Sequence, residues 1–599
     1  PLSRRQVLKG GAALGIGSAA AMGLTPAWAN PWGRTNVYAQ GVEEGPEVSL
    51  AIRRESLPID GQEAQPITIN GTSPGPLIRL KEGQDAVLRV TNLLDEPTSI
   101  HWHGLILPPE MDGVPGVSFA GIAPGETFTY RFPVRQNGTY WYHSHSGFQE
   151  MTGMYGALII EPRAGERHRA DQDYVVQLSD WTDEDPMRAF SKLKVQSDVY
   201  NFNQPTFFDF TADVSKMGLQ AALEKRQMWN QMRMSPTDLA DLSAATLTYL
   251  MNGRTPAGNW TGLFTPGERV RLRFINAASN SFYDVRIPGL TMAVVQADGQ
   301  NIEPVEVDEF RFGPGETYDV LVEPKDEAHT IFAQSMERTG FARGTLAVGD
   351  GLSAPVPALD PVEWLTMADM MGQMDHGKMD RGAMGHDAAQ NKDHAGMEHG
   401  SMHHGSMAMD HSQHGMPQNS LAKPSQTVNH ARTEYGPSVD MRVDMPRTNL
   451  DDPGIGLRNN GRRVLTLADL RSQEGVLNDS RSAVREIELH LTGNMERYSW
   501  SFDGLEFGKS TPVAMKHGER VRVILQNDTM MTHPMHLHGM WSDLEDDQGR
   551  LRVRRHTIPV QPAQRISFLT TPHDLGRWAW HCHLLFHMDA GMFREVVVS

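Results

Sequence analysis

The only cysteine of this 599-residue chain, Cys582, lies between two histidines in the run HCHLLFHMDAGM. A disulfide within the chain is excluded because it needs two cysteines. His587 and Met592 follow Cys582 by five and ten residues, and His533 lies in an earlier run, HPMHLHG. Two histidines, one cysteine and a weak axial methionine are the ligands of a blue-copper electron-transfer centre. The alternative, a small buried apolar cysteine, leaves these histidine and methionine spacings unexplained.

Four H-x-H pairs could bind further metal ions. In a strand, side chains at i and i+2 point to the same face, so each pair directs two imidazoles to one place. In H-C-H, the cysteine faces away from its two neighbours, and one strand segment therefore joins two metal centres. The eight imidazoles would suffice for three further coppers. They belong to His101, His103, His143, His145, His536, His538, His581 and His583.

Internal repeats indicate how these motifs come together. The segments EGQDAVLRVTN, PGERVRLRFIN and HGERVRVILQN share a turn, alternating apolar residues and a closing Asn, which is typical of a strand. A second segment follows each one: APGETFTYRF, GPGETYDVLV and QPAQRISFLT. These repeats predict three homologous β-domains.

The three copies differ at the ligand positions. Counted from the repeats, the middle copy has Val285, Ile287, Ala333 and Ser335 where the outer copies have histidine pairs. The position of Cys582 holds serine in the first copy and glutamine in the middle copy. The blue-copper centre is therefore predicted in the third domain, and the histidine cluster between the first and third domains.

Together, HWHG, WYHSHSG, HPMHLHG and HCHLLFHMDAGM resemble the signature motifs of the multicopper oxidases, a family with three cupredoxin domains. The resemblance covers most of residues 46–599. It implies an all-β fold of three cupredoxin-like Greek-key β-barrel domains, with a disordered Met/His-rich linker before the third. The expected bounds are 46–165, 170–350 and 430–599, with the linker at 366–425.

The resemblance also implies four copper ions and a ligand set for each. His533, Cys582, His587 and Met592 would bind type 1 copper, and type 2 copper would have two histidine ligands. The type 3 pair would have six. By family pattern the type 2 ligands are His101 and His536, and the type 3 ligands are His103, His143, His145, His538, His581 and His583.

The implied reaction takes four one-electron equivalents from a substrate and reduces O₂ to two waters. Electrons would pass from type 1 copper through the segment His581-Cys582-His583. Asp112 matches an acidic residue that assists catalysis in related oxidases, although MDGVPG equally favours a turn aspartate. Some relatives have a glutamate directly after the equivalent of His587, where this chain has Met588; Asp589 is a possible replacement.

The first 29 residues resemble a twin-arginine signal peptide. Arg4 and Arg5 precede a mild Gly/Ala-rich stretch and the sequence AWA before Asn30, so cleavage is expected after Ala29. This route exports folded proteins, and we expect a periplasmic protein without a stable membrane span. The net charge of −18 argues against nucleic-acid partners.

Residues 367–416 contain eleven methionines and eight histidines. Thioethers select Cu(I) and imidazoles suit copper, so this linker is expected to bind additional copper. Methionines also crowd the third-domain motif, and three more lie in a helical insertion expected at about 212–251. Core packing is the competing explanation for both groups and is preferred for the insertion. The two groups are Met530, Met531, Met535 and Met540, and then Met228, Met232 and Met234.

Within the family, the chain resembles the periplasmic copper-resistance oxidases of the CopA type. The leading hypothesis is therefore an oxidase that converts Cu(I) to Cu(II), with O₂ as acceptor, for copper resistance. One alternative is a laccase-like oxidase of phenols or catechols, expected to have an open aromatic-lined pocket near His533 or His587. Another is a copper-sequestering protein with little turnover. Other periplasmic copper-handling proteins are possible partners.

Overall fold

The protein is described by a computed structural model over residues 41–59, 61–372 and 421–599. The predicted signal peptide and residues 373–420 of the predicted linker lie outside the described residues. The described chain is mostly β-structure, arranged in three successive units of eleven strands each. The prediction of an all-β protein is confirmed.

The first unit has a five-stranded sheet in the order β1-β6-β11-β10-β8, a four-stranded sheet β5-β2-β7-β9, and the small hairpin β3-β4. Alternating burial along β7 shows why its sequence DAVLRVTN forms a strand with one face on the core. The strands are β1 (Val42–Glu44), β2 (Glu47–Arg54), β3 (Leu57–Ile59), β4 (Gln62–Ala64), β5 (Ile67–Ile69), β6 (Gly75–Lys81), β7 (Asp85–Asn92), β8 (His101–His103), β9 (Thr127–Pro133), β10 (Gly138–His143) and β11 (Tyr155–Glu161).

The middle unit has a six-stranded sheet, β13-β12-β15-β20-β17-β18, and a five-stranded sheet, β14-β22-β21-β16-β19. Its strands are β12 (Gln172–Trp181), β13 (Thr248–Met251), β14 (Trp260–Leu263), β15 (Val270–Asn276), β16 (Tyr283–Arg286), β17 (Met292–Ala297), β18 (Gln300–Val307), β19 (Glu309–Phe312), β20 (Thr317–Val322), β21 (Ala328–Ser335) and β22 (Phe341–Ala347).

The third unit repeats that arrangement strand for strand, with sheets β24-β23-β26-β31-β28-β29 and β25-β33-β32-β27-β30. Its strands are β23 (Arg485–Asn494), β24 (Ser499–Phe502), β25 (Val513–Met515), β26 (Val521–Asn527), β27 (His533–Leu537), β28 (Ser542–Glu545), β29 (Leu551–Arg555), β30 (Thr557–Val560), β31 (Arg565–Thr570), β32 (Gly576–Cys582) and β33 (Phe593–Val598).

Five α-helices lie among the described residues: α1 (Pro186–Val195), α2 (Phe207–Met217), α3 (Leu219–Met232), α4 (Met367–Met371) and α5 (Leu585–Asp589). Two 3₁₀ helices span Pro109–Met111 and Arg432–Tyr435. The expected insertion at about 212–251 thus contains helical residues up to Met232 and ends in β13. Within the described ranges, no helix is long and apolar enough to cross a membrane.

The first histidine of each H-x-H pair lies on a strand, and these strands pair with the same register in every unit. His101 pairs with His143 in the first unit, and His536 pairs with His581 in the third. The equivalent pair in the middle unit is Val285 with Ala333, so the alignment of the repeats is reproduced by the strand pairing. The domain bounds expected from the sequence stay a prediction.

Candidate metal centres

The third domain brings the cysteine and two histidines of the predicted blue-copper centre together. The Cys582 sulfur lies 3.5 Å from His533 Nδ1 and 3.8 Å from His587 Nδ1, and those two nitrogens are 3.1 Å apart. His533 begins β27, Cys582 ends β32, and His587 is on α5. All three side chains are fully buried. Three donor atoms therefore face one point.

The fourth predicted ligand, Met592, is buried next to this group. Its backbone carbonyl accepts a hydrogen bond from the Cys582 amide at 3.1 Å, and its amide donates to the His587 carbonyl at 2.9 Å. The other imidazole nitrogen of His533 lies 2.7 Å from the Thr529 hydroxyl. Such a contact orients the ring so that Nδ1 faces the sulfur.

The eight histidines of the H-x-H pairs meet between the first and third units. Their nitrogens form three groups whose donor atoms all lie within 4.8 Å of one another. One group combines His101 with two third-domain histidines, and the other two also draw on both domains. The groups are His101, His536 and His538; His103, His143 and His583; and His145, His538 and His581.

The two nitrogens of these rings have different surroundings. Several outer Nδ1 atoms contact backbone carbonyls. The Nδ1 atoms of His101 and His536 each lie 2.7 Å from a carbonyl oxygen, those of Asp112 and His556 respectively. His581 Nδ1 lies 2.9 Å from the carbonyl oxygen of Cys582. Several inner nitrogens are buried without a hydrogen-bond partner among the described residues; they are Nε2 of His101, His103, His143, His145, His536 and His583. Buried imidazoles with an unpartnered nitrogen fit metal ligation, and His101 and His536 are also held at the other nitrogen, whereas neither nitrogen of His103 has a partner among the described residues.

The protonation chemistry agrees with that fit. Burial, followed by repulsion from neighbouring imidazoles, lowers the pKa of six cluster histidines well below the usual range; they are His103, His143, His145, His536, His538 and His583. Neutral imidazole is the form that binds metal. Burial also raises the pKa of the Cys582 thiol. A buried thiolate at this position therefore needs an adjacent positive charge, such as a metal ion.

Asp112 lies beneath the histidine cluster. Its carboxylate is 2.9 Å from His538 Nδ1 and 3.4 Å from His101 Nδ1, and it is fully buried. Asp112 also ends the short 3₁₀ helix and precedes Gly113, which has φ of 82°. A Cβ on Gly113 would lie 1.8 Å from the Ile100 carbonyl oxygen. Asp112 therefore lies at a turn and in contact with the cluster, and its catalytic role stays a prediction.

Three residues beside the centres were not singled out from the sequence. The Asp241 carboxylate is 3.0 Å from His587 Nε2, the Glu150 carboxylate is 2.7 Å from His143 Nδ1, and His556 packs 4.9 Å from His103 between ring centroids. Glu150 follows the WYHSHSG motif by three residues, which is a usable signal. Asp241 lies in another domain from its histidine, so local sequence gives no signal for it.

Asp589, the suggested replacement for a glutamate, is exposed. Glu150, rather than Asp589, is the described carboxylate in contact with His143, a histidine of the cluster. Burial, followed by the nearby charge of Asp180, raises the pKa of Glu150 well above its ordinary value.

The middle unit also touches the cluster. Gly315, with φ of 87°, approaches so closely that a Cβ there would lie 2.8 Å from the His583 ring and 3.1 Å from the His103 ring. This glycine is in GPGETYDVLV, the repeat segment that supplies strand β20. The middle unit therefore closes one side of a cluster to which it contributes none of the eight histidines.

The chain belongs to the multicopper oxidase family. Three multicopper oxidase family models match it, at residues 51–165, 172–349 and 481–599. Copper resistance protein A of Pseudomonas syringae pv. tomato is 55% identical to it, covering 100% of this chain and 99% of that protein. Copper resistance protein A of Escherichia coli is 54% identical, with the same coverage.

Solved structures confirm the cupredoxin-like fold. The structure of Fet3p, described as a multicopper oxidase that functions in iron import, matches with a TM-score of 0.60 and 17% identity. The match covers 93% of this chain and 91% of that one. The chain is thus a multicopper oxidase, with copper cofactors and O₂ and a reductant as substrates.

Proposed function

We propose that this multicopper oxidase converts Cu(I) to Cu(II) in the periplasm, after twin-arginine export, and thereby provides copper resistance. The balanced reaction is 4 Cu(I) + O₂ + 4 H⁺ → 4 Cu(II) + 2 H₂O. Two relatives that are 54–55% identical over the whole chain are named copper resistance protein A. The single observation that carries the choice of substrate is the burial of the proposed type 1 histidines, with a narrow cavity lined in part by methionines nearby in the chain.

His533 and His587 are both fully buried. Just before His533 in the chain, Met530 and Met531 line a narrow cavity of about 20 Å³, together with Met336 from the middle domain and charged side chains of both signs. Pockets for organic ligands commonly enclose several hundred Å³, whereas thioethers select Cu(I). The buried imidazoles and the methionine-lined cavity therefore favour a cuprous ion over a phenol.

The proposed cofactors are four copper ions. His533, Cys582, His587 and Met592 would bind type 1 copper, and His101 and His536 type 2 copper. The type 3 pair would be bound by the remaining six, His103, His143, His145, His538, His581 and His583. Copper bound at these positions would supply the one-electron redox chemistry and the reduction of O₂. We propose additional copper on the Met/His-rich segment, of which residues 373–420 lie outside the described chain.

The protein's own groups set the orientation and supply the protons. The strand segment His581-Cys582-His583 joins the two centres covalently and is the proposed electron route. Asp112 accepts from His538 Nδ1 and its carbonyl accepts from His101 Nδ1, which turns both Nε2 atoms inward. We propose that Asp112 also passes protons to the cluster. Glu150, with its raised pKa, is the proposed proton holder beside His143.

The test is O₂ consumption by the fully copper-loaded protein with Cu(I) or a phenol as donor, using Cys582→Ser as the blank. Rapid uptake with Cu(I) is expected. Uptake with the phenol alone would transfer the assignment to a laccase, and binding of many coppers without uptake would indicate sequestration.

The cavity gives a sharper variant of this test. Met530→Leu combined with Met531→Leu keeps side-chain volume but removes both thioethers, and it should raise KM for Cu(I) about tenfold or more. Met540→Leu is the matched control because Met540 lines a different cavity, beside Arg520 and Asp543. An unchanged KM in the double variant would contradict the proposal that Cu(I) binds in the cavity lined by Met530 and Met531.

A further inference from the structure

Two histidines and two carboxylates form a separate buried cluster in the third unit. The Glu434 carboxylate oxygen Oε2 lies 2.7 Å from His430 Nδ1 and 3.0 Å from His490 Nδ1. The Asp528 oxygen Oδ2 lies 2.9 Å from His490 Nδ1 and 3.5 Å from His430 Nδ1. None of the four is among the proposed type 1, 2 or 3 ligands.

The four donor atoms alternate as nitrogen, oxygen, nitrogen, oxygen around a closed ring. In a tetrahedral site with metal–ligand distances of about 2.0–2.1 Å, neighbouring donors are separated by about 3.3 Å. The observed nitrogen–oxygen distances, 2.7–3.5 Å, bracket that separation. Small outward movements would therefore make room for an ion at the centre.

The outer nitrogens of both rings face further carboxylates. His490 Nε2 lies 3.0 Å from Glu488, which is held by Arg565 at 2.5 Å. His430 Nε2 lies 3.4 Å from Asp444. A histidine that binds metal through one nitrogen usually donates its other N–H to a carboxylate or carbonyl, which fixes the ring. His490 has that arrangement, whereas His430 Nε2 makes no hydrogen bond among the described residues and Asp444 is the carboxylate nearest to it.

Burial makes the negative charge of the two carboxylates in this cluster unfavourable unless a positive charge balances it. The four side chains, His430, Glu434, His490 and Asp528, are between 0% and 6% exposed. Two buried carboxylates that face two imidazoles need a positive charge among them. The cluster thus attracts positive charge, which either a proton or a metal ion can supply.

We propose that His430, His490, Glu434 and Asp528 form an additional site for a divalent transition-metal ion. A donor set of two imidazoles and two carboxylates suits the tetrahedral coordination of Zn²⁺, and imidazole also suits Cu²⁺. The site differs from the oxidase centres because it contains no cysteine and no H-x-H histidine. It also differs from the Met/His-rich segment, because all four ligands lie in the described chain.

The position of the site links two functional parts of the protein. His430 and Glu434 lie 14 and 18 residues beyond Met416, the last methionine of the Met/His-rich segment. Asp528 directly precedes Thr529, whose hydroxyl contacts His533 of the proposed type 1 centre at 2.7 Å. A bound ion would therefore fasten the chain that leaves the Met/His-rich segment to the loop that positions His533.

The test locates the metal directly. Crystals of the full, copper-loaded chain are grown with Zn²⁺, and anomalous scattering is measured on both sides of the zinc and copper absorption edges. The expected result is one peak about 2.0–2.2 Å from the four donor atoms. A zinc signal assigns Zn²⁺ and a copper signal assigns Cu²⁺. A map with no peak at these atoms would overturn the proposal.

A variant pair tests the same site in solution. His430→Gln should lose one equivalent of tightly bound metal and the increase in Tm that Zn²⁺ gives the parent protein. His517→Gln is the matched control, because the His517 side chain bonds only the His573 carbonyl among the described residues, and this variant should keep both. Glu434→Gln, which keeps the shape of the side chain, is the second variant should His430→Gln fail to fold. Unchanged metal content in the folded variant would refute the assignment.

Discussion

The middle and third units have the same sheets, the same strand order and the same register, yet only the third has the ligands of a type 1 centre. Phe282, Asp284 and Gln334 in the middle unit occupy the positions of His533, Met535 and Cys582. The scaffold therefore presents the same positions twice, and side-chain chemistry decides what those positions do.

The middle unit fills the equivalent space with ion pairs. Asp284, fully buried, binds Arg311 at 2.6 and 2.8 Å and Arg338 at 2.6 Å. Gln334 donates to Asp360 at 2.6 Å. Asp284 occupies the position of Met535, which neighbours Cys582 and is not one of the proposed ligands. The same strand positions thus carry buried ion pairs in the middle unit and the proposed type 1 ligands and a neighbour in the third.

The largest effect is expected from removing the sulfur. Cys582→Ser should abolish the blue colour and O₂ uptake, because a hydroxyl cannot replace the thiolate as ligand and electron donor. Absorption spectra and an oxygen electrode measure both. Ser144→Ala, at the equivalent position of the first unit, is the control and should keep the colour. Colour in the Cys582→Ser protein would remove the basis of the comparison.

The second-largest effect is expected from breaking the ion pairs of Asp284 in the middle unit. Asp284→Asn leaves two buried arginines short of a negative partner, and breaking such a pair costs about 3–5 kcal/mol of unfolding free energy. Denaturant unfolding measures the loss. A loss below about 1 kcal/mol of unfolding free energy would show that this ion pair contributes little to the stability of the middle unit.

The acid dependence of that pair has a definite sign. Burial alone would raise the pKa of Asp284, but Arg311 and Arg338 lower it below the ordinary value. The stabilisation is therefore complete above the unfolded value, about pH 4, and is lost as the pH falls through the folded value. Parent and Asp284→Asn proteins should converge in stability below that pH.

A smaller effect is expected at the histidine cluster. Asp112→Asn keeps the size of the side chain but weakens the hold on His538 Nδ1, and changes of this kind typically cost about 10–100-fold in activity or metal affinity. Steady-state O₂ reduction should fall by that factor while the blue colour persists. Loss of colour along with rate would mean that Asp112 supports the whole structure instead.

The smallest effect is expected from placing the cysteine in the wrong unit. Gln334→Cys should produce no second blue centre, because Phe282 replaces the required histidine and Asp284 keeps its arginines. The absorption spectrum with added copper should match that of the parent. A new blue band would show that the scaffold alone shapes the metal site.

Much of this arrangement was predictable because it depends on short, regular spacings. The alternation of a strand places each H-x-H pair on one face. The repeats placed Val285 and Ala333 at the positions of histidines, and the strand register pairs them as it pairs those histidines. The ligand roles inferred from the family stay predictions. The two strands β17 and β18, which have no counterpart in the first unit, were not predicted.

Contacts between distant segments could not be predicted from the sequence, because no local pattern encodes them. Asp241 reaches His587 from an insertion 346 residues earlier, and Gly315 touches the cluster from a domain without ligands there. The His430 cluster joins two loops, a 3₁₀ helix and a strand. Each depends on domain packing, which repeats and spacings do not describe.

The separation of the cluster's ligands along the chain also sets an order of events during synthesis. His101 is made about 480 residues before His583, and at about 5–20 residues per second this interval lasts about 25–100 seconds. Through that time the first-domain imidazoles have no partners from the third domain, and Gly315 is still missing for about half of it. Loading of the shared cluster is consequently a post-translational event, and a ribosome that stalls before residue 583 leaves a chain that cannot complete it.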